Sequence, residues 1–133
     1  MFLSTLIINY DSIHLIIGNP EPFPYCKLTL GKDYEAAFSN ISYTTLSGES
    51  LSKSFISKLG KNTRTDFLSD WTNNGYMWQE NPGHYGSPPF GDWHTPTDIA
   101  YLPIRKMKNN LGWIKIDCSN PRNLKIISVA IQK

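Results

Sequence analysis

Apolar residues in this chain recur in short runs broken by Gly, Pro, Asn and Ser, and sustained helical periodicity is scarce. Runs of this kind, rich in β-branched and aromatic side chains, predict strands joined by turns. The first block predicts strands over Leu3 to Ile8, Ile13 to Ile17 and Tyr25 to Leu30, with Gly18-Asn-Pro-Glu-Pro22 stopping the second. In Cys26-Lys-Leu-Thr-Leu30 apolar and polar positions alternate with the two-residue period of a half-buried strand. Gly31-Lys-Asp33 marks a turn, and Tyr34 to Phe38 and Ile41 to Thr45 predict two further short strands. Ser47 to Leu59 predicts the one helix. Ser47 or Ser50 would cap it, Leu51, Phe55 and Leu59 fall on one stripe, and Gly60 would end it.

The C-terminal third carries the clearest pattern. Ile99 to Met107, Leu111 to Cys118 and Leu124 to Gln132 are strand-like runs separated by Lys108-Asn-Asn110 and Ser119-Asn-Pro-Arg-Asn123, both of which are turn chemistry. A three-stranded antiparallel meander is expected. In its middle strand Ile114, Ile116 and Cys118 share one face, and Trp113, Lys115 and Asp117 the other. The last strand is apolar on both faces, which predicts a position well inside a sheet. Upstream, four prolines, four glycines and three of the four tryptophans fall between residues 70 and 98. That composition predicts a long loop with regular structure only at Tyr76 to Gln79, and long loops in small domains are usually functional or self-packed. Together the elements predict one all-β domain spanning residues 1–133, a two-sheet β-sandwich with a C-terminal antiparallel meander and at most one short helix.

Size and charge narrow the function. A chain of 133 residues suffices for one core. Charged residues are 18% of the total, against roughly 25% in an average soluble protein, and the formal charge is +2 with no basic run, so nucleic acid is not an expected partner. The apolar start, Met1 to Ile8, has no preceding Lys or Arg and is interrupted by Asn9, Tyr10 and Asp11. It therefore reads as a strand and not as a signal peptide or a membrane span, which needs ~20 apolar residues, and no transmembrane segment is expected. Cys26 and Cys118 are the only cysteines, too few for an all-cysteine zinc site. They are compatible with one disulfide or with two buried thiols, the preferred reading.

The meander carries a resemblance. Tyr101-Leu-Pro-Ile-Arg105, Gly112-Trp-Ile-Lys-Ile116 and Ile126-Ile-Ser-Val-Ala-Ile131 resemble, in that order, the C-terminal strands of a group of uncharacterised exported β-rich proteins of Bacteroidota and other Gram-negative bacteria. Leu46-Ser-Gly-Glu49 followed at a distance by Trp71 is also similar to that group. The chain departs from it at Leu111, where the group has an aromatic, and in holding only Asp11 of an Asp-rich N-terminal segment. What the resemblance implies is a β-sandwich, a secreted or cell-surface location and no assigned activity. It supplies no catalytic residue.

Candidate chemistry concentrates in residues 71–94. Trp71, Tyr76, Trp78, Tyr85, Phe90 and Trp93 stand there among Asn73, Asn74, Gln79, Glu80 and Asp92. Sugar rings stack their C–H faces on indole while their hydroxyls meet amides and carboxylates, so Trp71, Trp78, Tyr85, Trp93, Glu80 and Asp92 form a candidate site for a carbohydrate or a protein partner. Burial of these aromatics as the lid of a core is the competing expectation. Trp113, flanked by charges, is expected to be covered by the 80–98 segment. His84, Asp92 and His94, with Glu80 and Asp98 nearby, could hold a divalent metal or exchange protons, which would make the chain a metal-assisted hydrolase. Their spacing matches no metal motif, so ordinary loop hydrogen bonding is preferred and no cofactor is expected. No nucleophile elbow or phosphate loop occurs. The leading expectation is a non-enzymatic binding module, with the hydrolase and a purely structural domain as alternatives.

Overall fold

The computed structural model describes residues 5–10, 13–18, 24–44, 47–60, 70–80 and 89–131. These contain ten strands: β1 (Thr5–Tyr10), β2 (Ile13–Gly18), β3 (Tyr25–Leu30), β4 (Tyr34–Thr44), β5 (Ser50–Ile56), β6 (Trp71–Thr72), β7 (Asn74–Gln79), β8 (Ile99–Lys106), β9 (Asn110–Asp117) and β10 (Lys125–Ile131). Two single-turn 3-10 segments, Asp92–His94 and Pro121–Asn123, complete the regular structure. The protein is all-β. Its strands follow one path, β1-β2-β3-β7-β5-β4-β8-β9-β10, with β6 paired to β4, and the sheet curls into a half-barrel.

A single curled path stands where two separate sheets were expected, and β4 is the reason. Its first residues pair with β8 and β6, and from Phe38 onward it pairs with β5, so one long strand carries the chain from one half of the sheet to the other. Ala36 and Ala37 lie at the crossing and are buried, their small side chains letting the halves close on each other. One hydrophobic cluster then serves both halves. Leu15, Cys26, Leu28, Met77 and Trp78 meet Leu102, Ile104, Ile114, Ile116 and Leu124 across it.

Residues 47–59 contain a strand, β5, and no helix. Leu51, Phe55 and Leu59 are four apart, and a spacing of four places residues on one side of a strand as well as on one stripe of a helix. Ser50, Ser52 and Ser54 disfavour the helix, and pairing along β4 from Ser50 to Ile56 decides it.

The meander has the expected topology, β8 to β9 to β10, all antiparallel. Two of its details differ. β10 is the outer strand of the path, not an interior one. Its register against β9 slips between Ile126 and Ser128, so Ile127 is an extra residue left 46% exposed, while Ile126, Val129 and Ile131 pack against the core. The apparent apolarity of both faces reflects that bulge. The turn from β8 to β9 also falls earlier than the asparagines suggested: Met107 and Lys108 take the left-handed backbone, and the Asn109 N–H closes the turn onto the Lys106 carbonyl at 3.2 Å.

Among the described residues no helix is long and apolar enough to cross a membrane. Cys26 and Cys118 are free buried thiols.

Candidate functional site

The segment from residue 70 to 94 holds more regular structure than expected: β6, β7 and the turn at Asp92–His94. β7 inserts between β3 and β5, antiparallel to the first and parallel to the second. Against β3 it carries one extra residue, because Lys27 faces Tyr76 and the neighbouring Cys26 faces Trp78. Met77 is that extra residue, so Tyr76 and Trp78, which strict alternation puts on one face, separate: Tyr76 is half-exposed and Trp78 fully buried.

The tryptophans divide accordingly. Trp78 and Trp93 have no exposed surface, which removes both from the set of stacking residues expected from the sequence. Their indole N–H groups are satisfied internally, Trp78 Nε1 donating to the Pro121 carbonyl at 2.9 Å and Trp93 Nε1 to the Ser57 carbonyl at 3.1 Å. They close the core, as buried indoles with bonded N–H groups do. Tyr85 and His84 lie outside the described residues. Trp113 keeps 38% of its surface exposed, with Tyr101 meeting it edge-on at 5.4 Å.

Glu80 and His94 do come together. Glu80 Oε1 is 3.1 Å from His94 Nε2 and also accepts from Arg122. His94 stands edge-on to the Trp78 ring and Arg122 lies over it, so these two cap that indole, with Glu80 joining them. The cluster ties the two 3-10 turns to the end of β7. Asp92 points elsewhere: it lines a pocket of about 310 Å³ with Phe38, Phe55 and Lys58, and its carbonyl accepts from Lys58 Nζ at 3.2 Å. Among the described residues no three His, Cys, Asp or Glu side chains gather as a metal would require.

Trp71 is the tryptophan of this segment that retains a place on the surface. It is half-exposed and borders a groove of about 450 Å³, lined also by Lys32, Asp33, Glu35, Thr72, Asn73, Met107 and Lys108. Three connections build the groove. The β3–β4 turn supplies Lys32 and Asp33, the β6–β7 link supplies Asn73, and the β8–β9 hairpin supplies Met107 and Lys108. Backbone bonds join them, from Leu30 N–H to the Asn73 carbonyl at 2.8 Å and from Met107 N–H to the Asp33 carbonyl at 2.7 Å.

Arg105 lies over one face of the Trp71 indole, its guanidinium 4.7 Å from the ring centroid. Arg105 is fixed in turn by Glu35, whose Oε1 accepts from Nε at 3.0 Å and lies 2.9 Å from Nη2. A cation over the indole and a two-point ion pair hold the aromatic plane in place before any ligand arrives. Glu35 and Arg105 were not among the residues expected from sequence. They are 70 positions apart and meet only because β4 and β8 pair in that register.

Comparison with protein-family models, with curated proteins and with solved structures gives no match.

Proposed function

We propose that this protein is an exported, non-catalytic binding domain that takes a carbohydrate in the groove beside Trp71. The observation that carries the reading is a half-exposed indole braced by the Glu35–Arg105 pair at the wall of a groove rich in hydrogen-bonding groups. A sugar ring would lay its C–H face on the side of the indole opposite Arg105, and Asp33, Asn73 and Lys32 are the carboxylate, amide and ammonium its hydroxyls need. A braced aromatic loses little freedom on binding, which favours affinity in a shallow site. The similarity of residues 101–131 to exported β-rich proteins supports a place outside the cytoplasm.

Affinity electrophoresis through gels containing soluble polysaccharides tests the proposal. Retention by at least one neutral polymer is expected, and Trp71→Ala should weaken it about tenfold or more, equivalent to about 1.4 kcal/mol. Arg105→Ala should weaken it less, by freeing the indole. Migration unchanged across a broad polysaccharide panel, or retention that survives Trp71→Ala, would refute it.

A further inference from the structure

The outer face of the other half of the sheet carries a second constellation, one that shares no residue with the groove. Lys27 in β3 and Lys53 in β5 both lie over the ring of Tyr76 in β7, with Nζ 5.6 Å and 4.6 Å from its centroid. Strand pairing puts them there. Tyr76 faces Lys27 across one ladder and Phe55 across the other, and Lys53 precedes Phe55 by two residues on the same side. Tyr25 closes against Tyr76 at 5.8 Å. Lys53 also donates to Gln79 Oε1 at 3.0 Å.

Two ammonium groups drawn to one ring repel each other, and an anion bound beside them would relieve that repulsion. Among the described residues neither lysine has a carboxylate partner: Glu35 pairs with Arg105, and Glu80 pairs with Arg122 and His94. We infer that this face is an anion-binding site, and that it takes the sulfate or carboxylate groups of an acidic polysaccharide. Charge complementarity supplies the attraction, while Tyr25, packed against Tyr76, offers an aromatic wall to the sugar that bears the charge. Single-stranded nucleic acid fits less well. Its bases need an open aromatic face, and the Tyr76 ring is surrounded by both lysines, Tyr25 and Phe55; its backbone needs a row of cations, and the whole chain has a formal charge of only +2.

The test is retention at low salt on three immobilised polymers, sulfated dextran, polygalacturonate and unmodified dextran, and on a single-stranded oligonucleotide. The parent should be retained on one or both acidic polymers more strongly than on dextran, and salt or inorganic sulfate should release it. Comparing the sulfated and uronate matrices identifies the preferred anion. The double substitution Lys27→Gln with Lys53→Gln should weaken that retention at least about fivefold, while Lys115→Gln, on the meander, should not. Circular dichroism and the thermal midpoint establish that the double variant is folded, and Lys53→Arg should restore much of the binding. The inference fails if neither acidic polymer retains the parent, if the double variant binds as the parent does, or if the oligonucleotide binds more tightly than both polymers at equal salt. Trp71→Ala should leave this retention intact. A loss there with none in the double variant assigns the binding to the groove and overturns the second site.

Discussion

The meander of residues 99–131 and the tryptophan-bearing stretch of residues 70–94 belong to one sheet, but different forces hold them there. β8 and β9 pair through eight consecutive residues of each strand and are joined by a tight turn, so their order is a property of a local backbone ladder. β7 is a foreign strand by comparison. It enters between two strands distant in sequence, shares with β5 the single ladder pair Phe55 and Tyr76, and needs a bulge to fit β3. Side chains add to its ladder with β3: the Trp78 indole N–H reaches the Pro121 carbonyl after β9, and that of Trp93 reaches the Ser57 carbonyl just past β5. The contrast teaches that the same residue type does different work in the two regions. A tryptophan in the meander decorates a ladder that stands without it; one in the 70–94 stretch reinforces a strand whose ladder is bulged on the β3 side and a single pair on the β5 side.

The largest expected effect breaks or confirms that contrast directly. Trp78→Ala should cost about 3–5 kcal/mol, the range for removing a buried large aromatic, since it leaves a cavity and orphans the Pro121 carbonyl. Trp113→Ala, on the outer face of β9, should cost no more than about 1 kcal/mol. Urea unfolding of both variants decides the matter, and equal losses would mean that the meander depends on its tryptophan as much as β7 does.

Two glycines extend the comparison to the backbone. Gly91 precedes the turn that carries Trp93, has a φ of +98°, and a Cβ there would sit 2.4 Å from the Met77 carbonyl oxygen. Gly48 has nearly the same φ, +91°, with nothing within 4 Å of the added carbon. Both alanine substitutions pay for the left-handed backbone, about 1 kcal/mol. Only Gly91→Ala must also push β7 aside, which adds about 1–3 kcal/mol. The difference in unfolding free energy between the two variants isolates the packing of the turn against β7; if they are equally stable, that contact is slack.

The same contrast explains what could be read from the residues alone. The meander was legible because its strands, turns and pairing are neighbours in the chain, and the alternation in Cys26 to Leu30 was legible because each position of β3 keeps its side. β5 is ambiguous in the sequence because a spacing of four satisfies both periodicities, and only its partner β4 distinguishes them. The bulges at Met77 and Ile127 were invisible for a related reason: an inserted residue reverses the inside–outside pattern beyond it, and the sequence carries no mark of where that happens. The candidate site divides in the same way. Trp71 stood out as an aromatic beside amides, whereas its brace of Glu35 and Arg105, and the lysine pair on Tyr76, are made by contacts between distant strands. Trp78 and Trp93 looked equally suited to stacking, and their burial follows from the bulge and from the turn at residue 92.

Cys26 gives the smallest effect and measures how well β7 seals the core. It faces Trp78 across the ladder, and its thiol is pushed up to about 12, mainly by burial and secondarily by nearby Cys118. In the unfolded chain the same group ionises around its ordinary value of 9.0. Because the folded value is the higher one, the neutral thiol favours folding; that contribution is intact below pH 9 and is lost as pH rises toward 12. The loss should approach about 1.4 kcal/mol for each pH unit above the lower value. Urea midpoints measured at pH 8, 9 and 10 should therefore fall more steeply for the parent than for Cys26→Ala, which has no thiol to ionise. In Trp78→Ala the slope should flatten toward that of Cys26→Ala, because water admitted through the cavity lets the folded thiol ionise. Parallel slopes for the parent and Cys26→Ala would show that the core beneath β7 is open to water, and with it that the buried tryptophans do not hold this stretch in place.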